Sequence, residues 1–323
     1  MKITEFFRNI FGKTNNNKIL TSPEIDYEKK SASIDGLELS KMLIDAVTPT
    51  LKNKRQQYGD YDSPLQTKIS VADTRELVKK FFADIDTNLY KKVCDIDADK
   101  SPYAVIDRNY QGSHGETSYP SQFPVTVLLP IFGDLRQLYV AVHEITHTLD
   151  IENGETTTRR ILGEIAPQCM ERMLDDFLLN LSDSDMKKYG FDKNTLKQDI
   201  TKRKITTFYD RLRITESLYY GRGNKEMNLR YMLAQIFSTH FYLYEKHNKK
   251  AKIKSLIDYV QADDFEGAYS CFGMQIKKGN DFQRRNYIRD TISAVEMLIN
   301  PQKHIDNVTQ ENQQIDNQDI IKQ

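Results

Sequence analysis

Five consecutive residues carry the strongest chemical signal in the chain: His143, Glu144, Ile145, Thr146 and His147. Two histidines four apart on a helix share one face, so both imidazoles can reach a single metal ion. The glutamate beside the first histidine can then act as general base toward water. The residues around the motif favour that arrangement. Asp134 is a candidate N-cap, and Gln137, three residues on, completes a capping box. Leu138, Val142, Ile145 and Leu149 form one narrow apolar stripe. At 100° per residue, His143 and His147 point about 140–180° away from it. The predicted helix buries one side and offers both histidines to a cleft.

A catalytic zinc site requires a third protein ligand and one open position. A third histidine six residues after His147 is one solution, but Asn153 stands there. Asp150 stands where that solution has glycine. A glutamate on the following helix is the other common solution. Glu164, 17 residues after His147 in the run Gly163 to Pro167, is the candidate. Pro167 cannot donate to the Gly163 carbonyl and is expected to kink the helix beside Glu164. Glu171 lies two turns further along the same face. It reads either as a carboxylate that orients a ligating histidine or as part of a solvated surface.

The elements that must position the motif are mostly helical. Apolar periodicity predicts helices over 22–58 and 70–93, the second with Leu77, Val78, Phe81, Phe82 and Ile85 inward. Residues 103–107 and 125–132 are short, apolar and β-branched, bounded by Gly, Pro and Ser, and read as strands. Beyond Gly133 the pattern is helical almost to Asn300, with breaks near Gly154, Gly190, Gly221 and 262–267. The expected class is mainly α with a small β-sheet beside the site. Residues 1–18 read as an amphipathic segment and linker, 19–300 as the catalytic domain, and 301–323 as a polar, disordered tail.

Composition narrows the function classes. The 323 residues carry 46 Lys+Arg and 46 Asp+Glu, a net charge of zero. That argues against a globally electropositive nucleic-acid binder. Mean hydropathy is −0.63, and no apolar run approaches a membrane span. Membrane contact is expected only through the apolar face of residues 1–12. Cys94, Cys169 and Cys271 are odd in number and far apart, as reduced thiols of a cytoplasmic protein would be. No P-loop, G-x-G-x-x-G or G-x-S-x-G pattern is present.

The run His143 to His147 followed by Gly163 to Glu171 resembles the thimet oligopeptidase and oligoendopeptidase F family of zinc metallopeptidases. So do the segments 61–78, Gly112 to Gly115, Pro124 to Phe132, Gly221 to Asn224 and Tyr231 to Ser238. The resemblance spans about residues 58–300. It implies one Zn2+ held by His143, His147 and Glu164, with Glu144 as general base and a peptide as substrate. It also implies a phenol at Tyr231 that stabilises the oxyanion. Substrate would pair with an edge strand carrying Val125, Val127 and Leu129, beside a Gly-rich loop at Gly221 and Gly223. Four features depart from the family. Thr146 replaces glycine, Tyr219 replaces histidine, Asn228 replaces tyrosine, and the His147–Glu164 linker is shorter. Most of the family's N-terminal half has no counterpart, which implies a more open cleft. A metalloendopeptidase acting on short peptides is the expectation. A catalytically retired binding module and an effector-type protease with one protein target remain alternatives.

Overall fold

The structure, a computed structural model, describes residues 63–112, 114–118, 124–154, 156–219, 225–245 and 248–271. These residues are mainly helical, with one three-stranded sheet. The expected helix over 22–58, the segments 1–18 and 301–323, and Gly221 and Gly223 lie outside them. No helix among the described residues is long and apolar enough to cross a membrane.

The helix expected over 70–93 is two helices. α1 (Val71–Ile85) begins at Ser70, whose hydroxyl accepts the Asp73 N–H. α2 (Thr87–Asp97) begins at Asp86, whose carboxylate accepts from Asn88 and Leu89. Asp86 is extended (φ −162°), as an N-cap is, and that interrupts the helix. The five apolar residues assigned to the inner face of α1 are all buried.

β1 (Ala104–Asp107), β2 (Glu116–Ser118) and β3 (Val125–Leu128) follow. Their order is β1-β3-β2, with β1 parallel and β2 antiparallel to β3. Residues 125–128 therefore form the central strand, paired on both sides. The expected edge strand over 125–132 is corrected in position and in length. Val125 and Val127 are buried, Val125 in a small cluster with Ile96, Ala104 and Ile151, and Leu129 packs partly buried against the main core. The short strand β2 carries too little periodicity to be read from sequence.

Downstream lie α3 (Arg136–Thr146), α4 (Thr157–Leu162), α5 (Ile165–Leu179), α6 (Asp183–Tyr189), α7 (Lys193–Tyr219), α8 (Lys225–Tyr244), α9 (Lys249–Gln261) and α10 (Phe265–Ser270). α5 is buried on nearly every side and packs against α3 and α8. Burial all round marks a central helix rather than a surface one. Gly190 ends α6 in the left-handed conformation (φ 69°), which glycine adopts without a Cβ clash. The interruption expected beside Glu164 is a break between two helices, with Pro167 on its C-terminal side. Pro167 occupies the first turn of α5, where its missing N–H has no intrahelical role. The chain breaks earlier, at Gly163 and Glu164 between α4 and α5.

Candidate metal centre

The start of α3 differs slightly from a simple capping box. Asp134 lies one residue ahead of the helix cap. Its carboxylate accepts the Arg136 N–H at 3.0 Å and the Leu65 N–H at 3.2 Å. Gln137 reaches back past it and accepts from Phe132 N–H at 3.2 Å. Leu138, Val142, Ile145 and Leu149 are all buried. α3 then stops at the second histidine. His147 is its C-cap, and Thr148 and Leu149 bond three residues back in a tightened turn.

Three donors converge at this helix end. His143 Nε2 lies 3.2 Å from His147 Nε2. Glu164 Oε2 is 3.3 Å from His143 Nε2, and Glu164 Oε1 is 3.5 Å from His147 Nε2. All three residues are buried. Four ligands at about 2.0–2.1 Å in a tetrahedron are separated by about 3.3–3.4 Å. The observed triangle therefore has the dimensions of three corners of a zinc site. Glu164 Oε2 is fully buried with no hydrogen-bond partner among the described residues. A buried carboxylate oxygen left this way is costly unless a cation fills the space it faces. The donor set and the orphaned oxygen both fit a metal ion.

The opposite edge of the His143 ring is anchored. Its Nδ1 lies 2.5 Å from Glu171 Oε1, so Nε2 is turned toward the donor triangle. Glu171 is itself held by Arg203 of α7, Nη2 to Oε2 at 2.8 Å, with Arg211 at 3.7 Å. Burial pushes Glu171 up, but Arg203, His143 and Arg211 outweigh it and hold the carboxyl well below its ordinary range. Burial likewise pushes the His143 imidazolium down, and its contacts with Glu164 and Glu171 reverse this, raising it to about 10. His147 is pushed well below its ordinary value, chiefly by burial. With no metal bound, these opposite directions favour protonation of His143 over His147.

Glu144 opens onto a cleft of about 450 Å3 that His143, Glu171, Arg211, His114 and Tyr231 also line. Burial raises its carboxyl, while His143 and the Thr117 hydroxyl oppose the rise. Thr117 Oγ1 lies 2.9 Å from Glu144 Oε2 and 3.0 Å from the Glu144 carbonyl oxygen. Gly115 makes this contact possible. A Cβ there would lie 2.3 Å from Val140 and 3.1 Å from Glu144. The strand β2 thus abuts the Glu144 turn of α3, and it is a sheet edge among the described residues. Tyr231, on α8, faces the same cleft, with the Arg211 guanidinium 4.9 Å from its ring centroid. The Glu164 charge and burial keep its phenol protonated to unusually high pH.

Of the residues singled out in the sequence, the structure brings together His143, His147, Glu164, Glu171, Glu144 and Tyr231. It separates Val125, Val127 and Leu129 from the cleft. Sequence reasoning missed Thr117, Arg203, Arg211 and Arg230. Thr117 has no signal of its own. Arg203 and Arg211 did have one, since they interrupt the inner stripe of α7 that includes Leu196 and Ile200. A charge on an apolar stripe requires a buried partner.

No protein-family model matches the chain, and no curated protein aligns with it. The crystal structure of a candidate peptidase from Chlamydophila abortus aligns with 86% of the chain at 16% identity and a TM-score of 0.45. The chain spans 56% of that protein's length.

Proposed function

We propose that the protein is a zinc-dependent metalloendopeptidase acting on short peptides. The observation that carries the reading is the buried triangle of His143, His147 and Glu164 at tetrahedral spacing, with Glu144 on the adjoining cleft wall. Two imidazoles and one carboxylate are the protein donor set of catalytic zinc. When bound, Zn2+ would supply Lewis acidity toward the scissile carbonyl and toward water.

The chain's own groups supply the rest. Glu144, raised by its buried setting, takes a proton from water and returns it to the leaving amine. The Thr117 hydroxyl donates to Glu144 Oε2 at 2.9 Å. Tyr231 keeps its proton and donates a hydrogen bond to the oxygen that becomes anionic in the transition state. Glu171, braced by Arg203, keeps His143 Nε2 turned toward the site. An extended peptide would add to the outer edge of β2, beside Gly115 and His114. That replaces the edge expected at 125–132.

The test is cleavage of a mixed quenched-peptide library by zinc-loaded wild type and Glu144→Gln. The substitution keeps the three ligands and removes the base. Cleavage by wild type should fall about 10²–10⁴-fold in the variant at unchanged zinc stoichiometry. Equal activity in both proteins would overturn the assignment of Glu144. Stoichiometric zinc with no cleavage by wild type would point to a binding module.

A further inference from the structure

The linker from His147 to Glu164 must return the chain to within bonding range of a common ion in 17 residues. α3 ends at His147, whose carbonyl belongs to the last turn and lacks a helical partner of its own. Arg159 of α4 supplies one. Its Nη2 donates to the His147 carbonyl, and its Nη1 donates to the Asp150 carboxylate. Arg159 is 2% exposed and Asp150 4%. A cation at a helix C-terminus is also favoured by the helix dipole.

The main chain of the same residue reaches the third ligand. The Arg159 carbonyl accepts the Gly163 N–H at 2.8 Å, closing α4 one residue before Glu164. Only glycine fits there, since a Cβ on Gly163 would lie 2.5 Å from that carbonyl. Thr156 Oγ1 accepts the Arg159 N–H at 3.1 Å and fixes the start of the same short helix. One residue thus grips the backbone of the second histidine with its side chain and the backbone leading to Glu164 with its carbonyl.

We propose that Arg159 is a positioning residue for the metal centre, paired with Asp150 and closing the donor triangle from behind. The inference rests on the metal-site reading above. A buried ion pair is often close to neutral for folding when both partners are replaced by apolar groups. The effect of removing this one should therefore appear in the geometry of the site rather than in the fold. The planar guanidinium serves two acceptors at once, which lysine cannot match.

The experiment compares wild type, Arg159→Met/Asp150→Leu and Arg159→Lys. Zinc affinity is measured by chelator competition, the visible spectrum of the Co2+-loaded protein reports coordination geometry, and metal-free melting reports the fold. The double variant should melt close to wild type. It should bind zinc about 10–100-fold more weakly, as loss of a supporting group does, with an altered Co2+ spectrum. The lysine variant, which keeps a charge for Asp150, should recover part of the affinity and decides the matter if the double variant does not fold. Zinc affinity and Co2+ spectra unchanged in a folded variant would overturn the inference. A wild-type protein that binds no zinc would instead overturn the metal-site reading and this inference with it.

Discussion

Glu164 and Glu171 sit seven residues apart on one face of the same helical segment, both buried, both ionised, both touching His143. Their surroundings differ completely. Glu171 spends its oxygens on His143 Nδ1 and Arg203, with Arg211 close by. Glu164 faces two imidazole Nε2 atoms and Arg230 at 3.3–3.5 Å, and one of its oxygens has no hydrogen bond among the described residues. The first carboxylate is closed within the protein and the second is open. What separates them is the helix that faces each: α7 delivers Arg203 to Glu171 at 2.8 Å with Arg211 close by, whereas α8 brings only Arg230 to Glu164, at 3.5 Å. Charge compensation by a neighbouring helix, rather than residue type, decides which glutamate is free to hold an ion.

The sharpest way to break this comparison is to neutralise each carboxylate in turn. Glu164→Gln removes a ligand, so zinc affinity should fall further than the about 10–100-fold expected of a supporting residue. Glu171→Gln should stay within that range. Metal-free stability should respond in the opposite order. Glu171→Gln leaves Arg203 buried without its counter-charge and should cost about 3–5 kcal/mol. Glu164→Gln removes a carboxylate whose arginine partner lies at 3.5 Å rather than 2.8 Å, and its cost should be smaller. Chelator competition and metal-free melting together check both rankings, and a lower melting temperature for Glu164→Gln would refute the distinction.

The metal-free proton on His143 gives a second, smaller effect. A cation can occupy Nε2 only by displacing that proton, which is held up to about pH 10. Zinc binding at neutral pH should therefore release close to one proton. Apparent affinity should rise about tenfold per pH unit as pH approaches that value. Calorimetry in buffers of different ionisation enthalpy measures the number released. No release would mean that His143 is already neutral, and the two carboxylates would then not be sharing its charge.

Much of this site was legible before any coordinates. Spacing alone puts His143 and His147 on one face opposite the apolar stripe of α3, but that this face is itself buried was not readable. The buried side of α1 and the breaks at Gly154 and Gly190 follow from periodicity and turn chemistry. The sheet was read less well. Residues 125–128 have the alternation of a half-buried strand, but pairing order is set by long-range contacts. The partner on the cleft side is a three-residue strand with no periodicity to detect. The split at Asp86 was local and readable, since an aspartate followed by Thr-Asn-Leu is a helix start as much as a helix interior. The arginines of α7 were visible only as charges on an apolar stripe. That pattern announces a buried partner without naming it.

The finest test concerns the strand that sequence did not show. Thr117 holds Glu144 from β2 through a hydroxyl that donates to Oε2 at 2.9 Å. A hydrogen bond to the ionised form lowers a carboxyl pKa, so this contact partly offsets the rise imposed by burial. Thr117→Val keeps the shape of the side chain and deletes the donor. Glu144 should then lose its proton at higher pH, and the acid limb of the kcat/KM profile should move upward. Activity on the plateau should change little, because the base is still present and the ligands are untouched. A limb that stays in place, with the plateau lowered instead, would show that Thr117 acts only by aiming the carboxylate. The proton affinity of Glu144 would then be set by burial and the histidine beside it.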